Sequence, residues 1–333
     1  MGKKILLVYT SFNSFVKSDY DILSSAHQVD KFHFSATKKF WTIAVQLIRQ
    51  FVFLLFHIWK YDVVFIWFGD YHSFLPVLFS KLTAKKSIIV IGGYDVTSLP
   101  EFKYGSLYKP IRRLATYVSF RYASLCLPVV EKLEEKLIEF CPKAKSKTIY
   151  TGYKFDIQNL PNLDTDREKT ILTVSITNSE QRVFIKGLDR FRELAQKMPD
   201  FDFIIIGVDE LAIKYFNPVP ENLTLIPPLN QHELISYYLK SSYYAQFSRT
   251  EGLPNALCEG MLYGCIPLGM DIGGIPTAIG NYGLVSKKWI PHDMNTYIRN
   301  THNVVNRNNI SRHIIEKFDI TFRINKLLKT ISD

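Results

Sequence analysis

Two carboxylates eight residues apart, Glu251 and Glu259, sit on either side of a Gly-x-Pro turn within residues 248–276, SRTEGLPNALCEGMLYGCIPLGMDIGGIP. Pro254 suits the first turn of a helix, where its missing N–H would be unpaired in any case, so the spacing predicts a helix beginning near 253–255. The free N–H groups at that end face whatever Glu251 faces. They attract phosphate through unpaired donors and the positive end of the helix dipole. Glu259, about a turn and a half inside, aims a carboxylate at the same ligand. Phosphate donors beside hydroxyl acceptors fit a nucleotide sugar.

The same stretch continues with Gly264-Cys265-Ile266-Pro267-Leu268 and Gly273-Gly274-Ile275-Pro276. Together with Glu251-Gly252-Leu253-Pro254 and Glu259, these pieces resemble the retaining glycosyltransferases of the GT-B fold, in particular family 4. The resemblance is detailed over residues 170–285 and only architectural before them. It implies two Rossmann-like domains with parallel sheets facing an interdomain cleft, and transfer of a sugar from a nucleoside diphosphate to an acceptor hydroxyl.

By that resemblance Glu251 holds hydroxyls of the transferred sugar and Glu259 those of the ribose. Gly252, Leu253 and Pro254 shape the turn, and the backbone N–H groups of Asn255 and Ala256 meet sugar and phosphate. The base lies near 227–229, at Pro228 and Leu229. The family places an Arg and a Lys after the first strand of the second domain, with a Gly following the Lys. Lys186-Gly187 fits, and the Arg would be Arg182, closer to the Lys than is usual. On the first-domain side, Gly92, Gly93, Tyr94 and Asp95 follow a buried strand, at the strand end where open α/β sheets bind ligands. Many relatives carry a His at the position of Gly92, so its role is empty or passes to Tyr94, Asp95 or His72. Thr277 stands where the family has a Glu.

The chain has 333 residues, nearly half of them hydrophobic, enough for two cores. Residues 1–155, with a C-terminal helix over about 318–333 packing back on them, form the expected acceptor-side domain, and residues 165–317 the nucleotide-sugar domain. Four cysteines, Cys126, Cys141, Cys258 and Cys265, show no metal-binding spacing and read as buried thiols. Residues 1–10 run into a short strand without a cleavage site, so the chain is expected in the cytoplasm, peripheral on the inner face of the membrane. Of the net charge of +10, +9 falls in the first 130 residues, where 16 Lys and Arg face 7 Asp and Glu. No nucleic-acid-binding motif accompanies the excess. The expected partners are the donor, a lipid-linked or glycan acceptor and an anionic membrane surface, with no nucleic acid.

Apolar runs of strand length alternate with helical stretches, which argues for parallel α/β architecture. In the first half, strands are expected over 4–9, 29–34, 63–68, 87–91, 124–128 and 147–151. Helices are expected over 19–26, 38–59, 74–82, 107–120 and 131–140. After a linker at 152–169, strands follow over 170–175, 203–207, 223–226 and 244–247. The second-half helices are 188–197, one opened by the capping box Asn230–Glu233, the helix after Pro254, and a last one over 321–331.

Three Asp-x-Asp pairs, Asp19-Tyr20-Asp21, Asp164-Thr165-Asp166 and Asp200-Phe201-Asp202, occupy a helix start, the linker and the wrong end of a strand. Neither a metal nor a cofactor is expected, the nucleotide sugar being the donor substrate. Residues 40–59, FWTIAVQLIRQFVFLLFHIW, are nearly long enough to span a bilayer. A central Arg there costs about 2.5–3.5 kcal/mol on insertion scales, so a core helix is expected, with partial immersion in lipid as the alternative. Lys38, Lys39, Lys85 and Lys86 are expected to be solvated beside it. A nucleotide-sugar 2-epimerase of the same fold and a donor-binding protein without turnover are the alternative functions.

Overall fold

The computed structural model describes residues 2–35, 40–155, 160–163, 165–301 and 306–333; Lys38, Lys39 and Asp164 lie outside them. The chain divides into two units. One runs to Gly152 and includes Ile320–Asp333; the other is Tyr153–Asp319.

The first unit alternates β1 (Lys4–Tyr9), α1 (Ser14–Ser24), β2 (Gln28–His33), α2 (Phe40–His57), β3 (Val63–Trp67), α3 (Tyr71–Leu82), β4 (Lys86–Ile91), α4 (Pro110–Tyr122), β5 (Leu125–Pro128) and α5 (Glu131–Phe140). Its described strands form one parallel sheet in the order β2-β1-β3-β4-β5. The inner strands read as unbroken apolar runs, Ile5–Val8, Val63–Trp67 and Ile88–Ile91, because helices cover both faces of a parallel sheet. From β2 to β5 the chain steps across the sheet in one direction. Right-handed crossovers therefore put α2, α3 and α4 on one face and α1 on the other, and α3 packs against both α2 and α4.

The strand expected over 147–151 does not form. Cys126 N–H donates to Lys145 O and Cys126 O accepts from Lys147, so the segment begins to pair with β5. Ile149 N–H still donates to Pro128 O at 3.0 Å, but Pro128 has no N–H to give in return, and the pairing is reduced to a single bridge, Cys126–Ser146.

The second unit contains β6 (Glu168–Thr177), α6 (Glu180–Ile185), α7 (Leu188–Lys197), β7 (Asp202–Val208), α8 (Glu210–Ile213), β8 (Leu223–Ile226), α9 (Gln231–Lys240) and β9 (Ser241–Gln246). It continues with α10 (Asn255–Leu262), β10 (Ile266–Met270), α11 (Ile275–Ile279), β11 (Leu284–Ser286), α12 (Pro291–Thr301) and α13 (Arg307–Phe318). The described strands are parallel, in the order β11-β10-β9-β6-β7-β8. The chain lays β7 and β8 on one side of β6 and then crosses to lay β9, β10 and β11 on the other. The crevice between the ends of β6 and β9 is thus the topological switch point, where open α/β sheets bind ligands. A last helix, α14 (Ile320–Ser332), belongs to the first unit, where it packs on α1.

The helix over 40–59 is not a core helix. One residue of its polar stripe turns inward: Gln50 is buried and donates to His72 O at 2.9 Å, while Arg49 stays exposed and reaches His33 O at 3.2 Å. Trp41, Val45, Ile48, Val52, Leu55 and Trp59 are exposed instead. The buried His72 carbonyl, in need of a donor, fixes this orientation more firmly than apolar surface, which any contact satisfies. Lys86 also departs from its expected solvation, since its Nζ donates to Thr330 O at 2.6 Å and burial pulls its pKa down.

Candidate active site

Glu251 lies in the loop after β9, at the switch point. Its Oε2 accepts from Lys186 Nζ at 2.8 Å, Ser248 Oγ at 3.0 Å and Gln246 Nε2 at 3.3 Å, while Oε1 meets Lys186 Nζ at 3.1 Å. Both side chains keep some solvent access, 24% for Lys186 and 13% for Glu251. The pair is therefore fixed yet reachable.

Lys186 is carried on the turn between α6 and α7, where the sequence predicts a loop and the structure adds a helix. Gly187 follows with a left-handed backbone, φ 67°, and a Cβ there would stand 2.0 Å from Phe247 O. Only glycine lets the turn lie against the end of β9, which is what brings Lys186 to Glu251. Gly273 does the same for the other side of the loop: its φ is 52°, and a Cβ would stand 2.0 Å from Glu251 O. Gly274 N–H donates to Gly252 O at 2.7 Å. The Glu-Gly and Gly-Gly pieces of the sequence are thus one spatial unit.

Helix α10 begins at Asn255, with Pro254 as its extended N-cap rather than its first helical residue. No side chain caps it, so the N–H groups of Asn255 and Ala256 are placed as backbone donors at the helix end. Tyr153 OH donates to Asn255 Oδ1 at 2.9 Å and fixes that side chain. Leu253 is buried under the turn. Glu259 Oε2 accepts from Tyr238 OH at 3.1 Å. Burial pushes its carboxyl above the usual range, against the opposing hydrogen bonds of Tyr238 and Gln231. Pro228 and Leu229 follow β8 at the same end of the sheet, Pro228 exposed and Leu229 half-buried.

Arg182 is not brought to the Lys186–Glu251 pair. It is exposed on α6, and its Nε donates to Ile176 O at 2.9 Å. A different arginine, absent from the sequence expectations, buttresses the site. Arg249 forms a two-pronged pair with Asp189, 2.7 Å at each oxygen, and also donates to Phe184 O. It ties the Glu251 loop to α6 and α7.

In the first unit, Gly92 and Gly93 follow β4. A Cβ on Gly92 would stand 2.4 Å from the Phe68 ring. Asp95 is fully buried; its carboxylate accepts from Gly93 N–H at 2.9 Å and Gly69 N–H at 3.2 Å, joining the loops after β3 and β4. Burial pushes it up to about 7 despite those donors. His72 is also buried, its Nε2 on Trp67 O at 2.8 Å, and burial lowers its pKa. Both are held inside the unit, which leaves neither free to meet a ligand. Tyr94 is half-buried, its hydroxyl bonded to Arg112, which pairs with Asp70 at 3.1 Å. Of the Asp-x-Asp acids, Asp19 is taken up by Arg323 and Asp200 by both terminal guanidinium nitrogens of Arg299.

Residues 162–308 match the family described as Glycosyl transferases group 1. The match falls within the second unit, Tyr153–Asp319. No curated protein matches the sequence. Among solved structures the chain is similar to sucrose-phosphate synthase from Thermosynechococcus elongatus, with TM-score 0.77, 12% identity and 99% of each chain covered. It is also similar to the lipopolysaccharide outer core galactosyltransferase WaaB, with TM-score 0.72, 14% identity and 97% of this chain and 98% of that one covered. The UDP-GlcNAc 2-epimerase of Methanocaldococcus jannaschii matches at TM-score 0.61 and 11% identity, over 99% of each chain. At these identities the likeness shows the fold, which is GT-B. Within the group 1 match fall Lys186, Glu251, Glu259, the α10 N-terminus and the Arg249–Asp189 buttress.

Proposed function

We propose that the protein is a retaining glycosyltransferase that moves a sugar from a nucleoside diphosphate to an acceptor hydroxyl. The observation that carries this reading is the Lys186–Glu251 pair at the β6–β9 switch point, inside the group 1 match. In this reading the sugar C1–O bond to the diphosphate breaks while a bond from the acceptor oxygen forms on the same face of the sugar. The acceptor proton passes to a donor phosphate oxygen, and the products are the glycoside and the free nucleoside diphosphate.

Charge builds on the leaving diphosphate, so Lys186 shifts toward it from Glu251, aided by the uncapped N–H groups of Asn255 and Ala256. Glu251 keeps Ser248 and Gln246 on Oε2 and turns Oε1 to the sugar hydroxyls. Glu259 takes the ribose, and Pro228 and Leu229 border the base. Arg182 would have to leave Ile176 O to take part. Of the first-unit candidates, Gly92, Gly93 and Tyr94 remain to meet phosphate or acceptor. We assign no metal to the reaction and place the protein on the cytoplasmic side of a membrane, acting on a lipid-linked glycan in cell-surface assembly.

A binding screen of nucleoside diphosphates and their sugars, followed by product analysis, tests this. The expected result is one tightly bound donor, release of its diphosphate only with acceptor present, and a product with the donor's anomeric configuration by NMR. Diphosphate release without acceptor, with a sugar epimerised at C2, would make it an epimerase. Donor binding with no transfer across glycan and lipid acceptors would make it a binding protein.

A further inference from the structure

The outer side of the α2–α3–α4 layer is apolar and basic where the surface of a soluble domain is normally mixed and acidic in part. Among the described residues, one helix is long and apolar enough to cross a membrane, Trp41–Lys60. Its outward residues fall at alternating steps of four and three, Trp41, Val45, Ile48, Val52, Leu55 and Trp59, which is one continuous helical stripe. Trp41 is 79% exposed, Phe56 67%, Trp59 66% and Ile48 64%. On the neighbouring helices Leu82, Ile111 and Leu114 are equally bare.

The charge on this layer has one sign. Over Phe40–His57, Tyr71–Leu82 and Pro110–Tyr122 there is no Asp or Glu, against five Lys and Arg: Arg49, Lys81, Arg112, Arg113 and Arg121. Arg112 is paired with Asp70 and Arg49 is engaged by His33 O. Lys81, Arg113 and Arg121 are the cations left for an external anion.

We propose that this layer docks in the plane of an anionic phospholipid bilayer. Helix α2 lies at the boundary of headgroups and acyl chains, Trp41 and Trp59 anchor its two ends, and Lys81, Arg113 and Arg121 meet lipid phosphates. A bilayer suits the surface better than a second copy of the chain, which would set this all-basic layer against itself. Spanning is disfavoured by the inward face. Gln50 is bonded to His72 O, and Leu54 and Ile58 are buried in the unit, so a spanning helix would have to pull them out. The inference stands on the first unit alone and does not depend on the donor site.

Flotation of the full chain with vesicles tests it, using phosphatidylcholine alone and an equal mixture with phosphatidylglycerol, at low and high salt. The chain is expected to float with the mixed vesicles, less so as salt rises, while Trp41 and Trp59 become shielded from acrylamide. Trp41→Glu with Phe56→Glu is expected to weaken that binding by about tenfold or more, since two aromatic side chains no longer leave water. Circular dichroism and an unchanged unfolding midpoint establish that the variant is folded. Lys81→Gln, Arg113→Gln and Arg121→Gln together are expected to weaken binding to mixed vesicles and flatten its salt dependence. The proposal fails if the wild type ignores mixed vesicles at low salt, or binds neutral vesicles equally well. It also fails if membrane-bound protein resists alkaline carbonate, as a spanning helix does, or if the chain forms a dimer that Phe56→Glu dissolves without any vesicle binding.

Discussion

Lys186 and Glu251 hold each other in place, and that decides what their substitution does. With Lys186→Ala, Glu251 keeps Ser248 and Gln246 but loses its cation, and in the proposed reading the diphosphate loses the charge that best follows it as it leaves. With Glu251→Gln, Lys186 is freed but the sugar loses an acceptor. Each change is expected to lower turnover by about a hundredfold or more at saturating donor while leaving the fold intact, because the pair is partly exposed. Near-wild-type turnover in either variant would refute the assignment. Glu259→Gln acts differently. In the proposed reading Glu259 contacts the ribose, equally in ground and transition states, so donor affinity is expected to fall while turnover at saturation holds. Equilibrium titration with donor beside steady-state rates separates the two effects. The sequence singles out Glu251 and Glu259 through a run of motifs at fixed spacing, and Lys186 through the glycine that follows it. It hides Arg249 and Asp189, whose pairing across 60 residues leaves no local pattern.

At the scale of elements, periodicity and caps locate most of the structure. β1, α5, α7 and β8 occur over the residues the sequence predicts, and the Asn230–Glu233 capping box opens α9. Orientation is harder to read. Gln50 on α2 looks the same whether it faces water or a buried carbonyl, and the choice was made by His72, 22 residues away in sequence. Asp95 is a further case, an acid read as a ligand-facing candidate that instead joins the loops after β3 and β4. Its folded pKa, pushed up to about 7, lies above its unfolded value of 3.8. The folded state therefore binds the proton more tightly. Its contribution to stability is fully present below the unfolded value and is lost as pH rises through about 7. Asp95→Asn, which stays neutral, is expected to flatten the fall in stability between these limits. Urea unfolding across that range measures it, and an unaltered pH slope in the variant would refute the role.

Over the whole chain, the first unit is closed by its own last helix. The chain leaves it at Gly152 and returns at Ile320, and the two points touch: a Cβ on Gly152 would stand 2.6 Å from Ile320 Cα. What then secures α14 is a buried ion pair. Arg323 donates through Nε and Nη2 to Asp19 at 2.6 Å each, and through Nη1 to Ile149 O and Tyr150 O. Trp67 Nε1 completes the carboxylate at 2.9 Å. Every polar atom of the pair that matters is matched, but removing one partner strands the other charge out of water. Arg323→Ala or Asp19→Ala alone is expected to cost about 3–5 kcal/mol in urea unfolding. The double variant buries no orphaned charge, so its cost is expected to fall well short of the sum of the two. Strict additivity would mean that the two side chains stabilise the unit independently, and that α14 is held by its apolar residues Leu327 and Ile331 rather than by the pair.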